Sequence, residues 1–153
     1  MRYFSVYRVA SYLLLLFFAG HTFGGMLGHK QLSPEAEAVA ASMKAVHFDF
    51  NGGDCTWYGF SMGFGLTASV LLLFSAVAAF SLARVTPGGW ASVATIAWAL
   101  FASHVANAAL TWIYFFPGAA TLASLIAVLL GAGALRKSRA AASPGGADRE
   151  VAK

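Results

Sequence analysis

Four apolar runs, at about Val6–Leu27, Trp57–Leu82, Trp90–Tyr114 and Gly118–Leu135, occupy most of this 153-residue chain and limit what it can fold into. Each holds 18 to 26 residues. About 20 residues of α-helix are needed to cross a hydrocarbon core about 30 Å thick. The apolar residues arrive in blocks rather than on one face, the pattern of segments whose solvent is lipid. Strands are excluded for the runs themselves: none alternates with a two-residue period, and backbone groups facing lipid must be satisfied within the segment. The expected fold class is all-α, a four-transmembrane-helix bundle. Charged residues make up only 10% of the chain, whereas soluble domains carry about 25%.

The net charge of +4 is not a nucleic-acid footprint, because the basic residues sit at the ends of the apolar runs rather than interleaved along one polar face. Four crossings put both termini and the connection near residue 85 on one side. That side receives Arg2, Arg8, Arg84, Arg136, Lys137, Arg139, Arg149 and Lys153, and the other only Lys30 and Lys44. Positive charge is retained in the cytoplasm, so both ends are expected there, in the inner membrane. Arg2 and Arg8 ahead of Tyr12–Phe18 also allow a signal-peptide reading, against which the cleavage pattern around Ala19-Gly20-His21-Thr22-Phe23 is poor. The domain is expected to end near 135, with 136–153 a disordered cytoplasmic tail. Cys55 is the single cysteine, so no internal disulfide or CxxC site exists.

The connection between the first two runs is the longest. Ser33-Pro34-Glu35 is a helix start, and Val39, Met43, Val46 and Phe50 recur on one helical face with Glu37 and Lys44 opposite. The spacing predicts a short amphipathic outer helix over 34–47. Asn51-Gly52-Gly53-Asp54 reads as a tight turn, with Asp54 capping the next helix. Gly20, Gly24 and Gly28, and then Gly59 and Gly63, recur every four residues. Such faces let helices approach closely, within the bundle or between copies.

Polar residues inside a span are costly and are functional candidates. No Asp, Glu, Lys or Arg lies deep in any run. His21 stands in the first, and His104, Asn107 and Thr111 form a stripe in the third. Both histidines fall roughly 10–15 Å below the outer surface at 1.5 Å per residue. The candidate pocket therefore comprises His21, His104, Asn107 and Thr111, with His47, Asp49, Asp54, Trp57 and Trp112 on its outer side. Histidines that donate to a carbonyl of a neighbouring helix are the competing, purely structural account. The outer aromatics also fit an interfacial belt. No cofactor is confidently implied: a haem held by both histidines is one option, and zinc would need further ligands, for which His29 is another candidate.

His21-Thr22-Phe23-Gly24, Phe48-Asp49-Phe50 with Gly52, Gly63-Phe64-Gly65, and Trp112 with Phe115-Phe116-Pro117 resemble a family of small, uncharacterised bacterial four-helix membrane proteins. The resemblance covers residues 1 to about 135 and implies fold and topology, with no established activity. That family often carries an aromatic-Asp pair after the turn, where this chain has Trp57-Tyr58-Gly59 without the acid. The leading expectation is a non-enzymatic protein that binds a lipid or other apolar small molecule in an outward-opening polar pocket. The alternatives are a membrane enzyme acting on a lipid or isoprenoid by His/Asp acid–base chemistry, and a haem-binding electron-transfer subunit.

Overall fold

A computed structural model describes residues 5–28 and 32–143. Arg2, His29, Lys30, Arg149, Lys153 and the rest of 144–153 lie outside the described residues. The order is α1 (Val6–Ala19), continued by a π-helical segment (Gly20–Met26), α2 (Pro34–Ala45), β1 (His47–Phe50), β2 (Gly53–Thr56), α3 (Trp57–Arg84), α4 (Ala94–Tyr114) and α5 (Pro117–Ala142). Four helices are long and apolar enough to cross a membrane: Val6–Met26, Trp57–Arg84, Ala94–Tyr114 and Pro117–Ala142. The protein is all-α in its spans, a multi-pass four-helix membrane protein.

The chain divides into two compact units, Met1–Phe17 with Leu73–Lys153, and Phe18–Leu72. In the first, α4 and α5 form an antiparallel hairpin closed by Phe115 and Phe116, with Pro117 at the first turn of α5. Buried positions on both helices are mostly small: Ala97 and Ala108 on α4, and Ala120, Ala123, Ala127 and Gly131 on α5. Without a hydrophobic drive between helices in lipid, such residues gain van der Waals contact by letting the backbones approach. Ser11 on α1 donates to the Ala76 carbonyl of α3 at 2.9 Å, and the Tyr7 ring lies over Gly133 of α5.

Residues 136–142 are the last two turns of α5, not part of a disordered tail. Ala140, Ala141 and Ala142 are strong helix formers, and Arg136, Lys137 and Arg139 favour the negative end of the helix dipole. The third span begins at Ala94 and not at Trp90. Trp90 belongs to a turn after Pro87-Gly88-Gly89 and is tucked in, its indole donating to Ser138 Oγ at 3.0 Å.

The second unit holds two short strands that the helical reading of 34–47 did not anticipate. α2 stops at Ala45, and β1 pairs antiparallel with β2 in the register His47 to Thr56 and Phe50 to Gly53. Asn51 (φ 54°) and Gly52 (φ 83°) form the two-residue turn. Both central residues have positive φ, the conformation Asn-Gly favours because it matches the twist of the flanking strands. Phe48 and Phe50 pack against Phe60, with ring centroids 5.5 and 5.4 Å away, the second pair edge to face, and Phe48 also meets Trp57 at 4.7 Å. Asp54 does not cap α3. That role falls to Thr56, whose Oγ1 accepts from the Gly59 amide at 3.0 Å.

Candidate functional site

The first span changes pitch before it ends. From Gly20 to Met26 it is a π-helix, closed by the Leu27 amide donating five residues back to the Thr22 carbonyl at 2.8 Å. π-helical turns are rare, and where they interrupt α-helices they are frequently at functional sites. Two side chains hold this one. His21 donates through Nε2 to the Gly65 carbonyl on α3 at 3.0 Å, and Thr22 donates to Ser69 Oγ at 2.8 Å. The Ser69 hydroxyl itself donates to the Gly65 carbonyl at 3.3 Å. Thr22 and Ser69 are buried, so these groups satisfy one another where water is absent.

The glycines divide by role in a way that spacing alone did not reveal. A methyl group at Gly20, Gly24 or Gly63 would meet nothing within 4 Å, so these are not the close-packed positions expected of them. Gly65 is crowded, since a Cβ there would overlap the end of the Met26 side chain. Gly28 is confined by backbone: its Cβ would stand 2.7 Å from the Phe23 carbonyl and 2.8 Å from that of Gly24. Only glycine fits where the chain leaves the π segment.

These constraints open a cleft of about 520 Å³ in the second unit. Gly25, Met26 and Gly28 line it from the π segment, Leu32, Ala40 and Lys44 from the connection and α2, and Tyr58, Ser61 and Met62 from the start of α3. It is an open surface cleft rather than an enclosed cavity. The lining mixes polar and apolar surface in comparable amounts and includes two methionines, whose unbranched chains adapt to an irregular guest. One cation enters it: Lys44 Nζ stands 4.6 Å from the centre of the Tyr58 ring, a cation–π contact that holds the ammonium over an apolar wall. A shallower groove of about 380 Å³, lined by Ala38, Val39, Ser42, Met43, Val46 and Trp57, runs along α2.

The faces of α2 depart from the expected division. Met43 is half-buried and Lys44 exposed, as the spacing predicts, but Val39 and Val46 are exposed, and the more covered face is Ala36–Ala40–Met43. Ser33 caps the helix through the Ala36 amide. Backbone and Ser33 hydrogen bonds lower the Glu35 carboxyl below its usual range.

Of the nine residues proposed for a pocket, only Trp57 lines either opening, and it lines the shallow groove. His21 is held against Gly65. His47 donates to both carboxylate oxygens of Asp54 at 2.9 Å on the exposed hairpin face, and Asp49 accepts from the Gly52 amide in the turn. His104 and Thr111 are on the buried face of α4, with Asn107 half-buried beside them. Thr111 donates to the Asn107 carbonyl of its own helix, and the Trp112 indole donates to Ser124 Oγ across the α4–α5 hairpin. Among the described residues no three His, Cys, Asp or Glu side chains are grouped as a metal site.

No protein-family model, curated protein or solved structure matches this chain. The likeness to a small four-helix family therefore carries no further argument, and function has to be argued from the cleft.

Proposed function

We propose that this is a multi-pass protein of the bacterial cytoplasmic membrane, with both termini inside, that binds a lipid-like amphiphile in an outward-opening cleft without converting it. The observation that carries this reading is the composition of the cleft: Met26, Leu32, Ala40 and Met62 offer an apolar bed, and Lys44 and Ser61 stand at its polar edge. An acyl or isoprenoid chain suits the first set. A carboxylate or phosphate suits an ammonium held on an aromatic ring, which carries three donors. The polar side chains of the lining, Lys44, Tyr58 and Ser61, are assigned to holding the headgroup rather than to chemistry on it.

Orientation rests on the lysine and arginine distribution. Reporter fusions at residues 85 and 153 should read cytoplasmic and one near residue 40 exterior. An exterior signal at 153 would overturn it.

The cleft is tested with a long-chain fatty acid bearing a diazirine, added to the full-length protein in nanodiscs and photolysed. Adducts should map to the peptides containing Met26, Tyr58 and Met62. Lys44→Ala should lower labelling about tenfold, as expected for losing a charge-assisted hydrogen bond. Ser61→Trp, which fills the cleft, should lower it further. Adducts confined to outward positions of α3 such as Val70 and Phe74, and unaffected by either change, would refute the reading.

A further inference from the structure

The described part of the unit formed by Met1–Phe17 and Leu73–Lys153 contains five cations, Arg8, Arg84, Arg136, Lys137 and Arg139, and no carboxylate. The sole ion pair among the described residues, His47 with Asp54, belongs to the other unit. We propose that these cations form a binding site for the headgroup phosphate of an anionic phospholipid, at the end where α1 begins and α3 and α5 finish.

Three contacts bring the charges together. Ser11 bonded to Ala76 registers α1 against α3, and Tyr7 over Gly133 registers α1 against α5. Lys137 donates through Nζ to the Val85 carbonyl, tying the end of α5 to the end of α3. Counting 1.5 Å per residue from the Ser11–Ala76 level puts Arg8 about 5 Å, Arg136 and Arg84 about 10–12 Å and Arg139 about 15 Å toward that end. Lys137 and Val85 fall at nearly equal height by the same count, in agreement with their hydrogen bond. The guanidiniums are thus staggered over about 10 Å of depth, within reach of one headgroup layer, given that long cationic side chains extend to the interface.

The chemistry selects phosphate. Four of the five cations are arginine, whose planar fork matches phosphate oxygens in pairs. The Arg84 guanidinium lies 4.4 Å from the centre of the Phe80 ring, which holds it at the boundary between apolar helix and water. Trp90, 3% exposed and bonded to Ser138, packs the loop onto α5. Lys137 is engaged with Val85, so its role is to position α5, leaving the arginines for the ligand. Charges that only direct insertion need not converge on one another. Gathered at one membrane end with no carboxylate beside them among the described residues, these cations would repel unless an anion joined them, and the anion that membrane depth supplies is a lipid headgroup.

The test uses the full chain purified in a neutral detergent, with bound lipid counted by native mass spectrometry. Phosphatidylglycerol should be retained at least tenfold more tightly than phosphatidylethanolamine, and inorganic phosphate should not compete at equal concentration. Arg84→Gln with Arg136→Gln and Arg139→Gln should abolish the preference. The corresponding triple lysine variant, which keeps insertion charge and guards against a folding or topology artefact, should reduce it about threefold. The lipid comparison is repeated in the Lys44→Ala background, so that anionic lipid held in the cleft does not enter the count and the two readings fail separately. Equal retention of the two lipids, full competition by free phosphate, or an unaltered preference in the triple glutamine variant would each overturn the proposal.

Discussion

Replacing Gly133 by leucine is expected to prevent the protein from accumulating as a folded species, and Gly133→Ala to lower its stability by about 1–3 kcal/mol, the usual cost of overpacking a filled interior. A Cβ at Gly133 would stand 2.9 Å from one carbon of the Tyr7 ring and 3.0 Å from two others. Tyr7 cannot swing clear, since it is 1% exposed, and Leu14, Ile126 and Leu130 are equally enclosed in the same unit. Its hydroxyl is buried with no partner among the described residues, so the ring is held by its fit against glycine. Gly20→Ala and Gly24→Ala, which enter open space, should change stability little. Melting of the detergent-solubilised variants checks the ordering. If Gly20→Ala proved as damaging as Gly133→Ala, the first-span glycines would be the packing surface after all. Tyr7→Ala should recover Gly133→Leu in part, by vacating the space the leucine needs.

That contrast shows which parts of the protein are legible in its sequence. Span existence follows from bulk transfer energetics, summed over some twenty residues, and local detail cannot reverse it. Close packing depends on which glycine faces which ring, and Gly20-x-x-x-Gly24 has the same spacing whether it meets a helix or open space. The hairpin shows a second limit. Asn51-Gly52 is a strong turn signal, but His47-Phe48-Asp49-Phe50 alternates over four residues only, and Phe50 also falls on the helical face continuing from Val39 and Met43. Two periods compete there, and the aromatic contact of Phe48 and Phe50 with Phe60 decides for the strand. Polar residues drew attention to His21 and His104 for sound energetic reasons, but intramembrane cost is met by any partner, and a carbonyl satisfies His21. The cleft residues, Met26, Ala40, Tyr58 and Met62 among them, are ordinary for a membrane helix. They become a site only through the pitch change after Ala19, for which Gly20, Gly24 and Gly25 close together were the available hint.

The largest functional effect is expected from removing the supports of that pitch change. His21→Ala combined with Thr22→Val deletes both side-chain hydrogen bonds from the π segment to α3. Interhelical bonds of this kind contribute about 0.6 kcal/mol on average and up to about 1.7 in membranes, so the pair should lower stability by about 1–3 kcal/mol. The effect on the cleft should exceed that. A seven-residue π-helix persists only while side chains hold its wider turn, and without them Gly20–Met26 can tighten to α pitch. Met26 would then rotate away from Gly65, and Gly25 and Met26 would no longer form the cleft wall. Photolabelling by the diazirine fatty acid should fall more than tenfold in this double variant, and the Leu27 amide, bonded to Thr22 only in the π arrangement, should change its hydrogen-exchange rate. Thr111→Val is the matched control: it also removes a buried threonine hydroxyl, but one that bonds only to Asn107 of its own helix, and labelling should be unaffected. Full labelling in the double variant, with unchanged exchange at Leu27, would mean that the π segment stands without His21 and Thr22 and that the cleft does not depend on it.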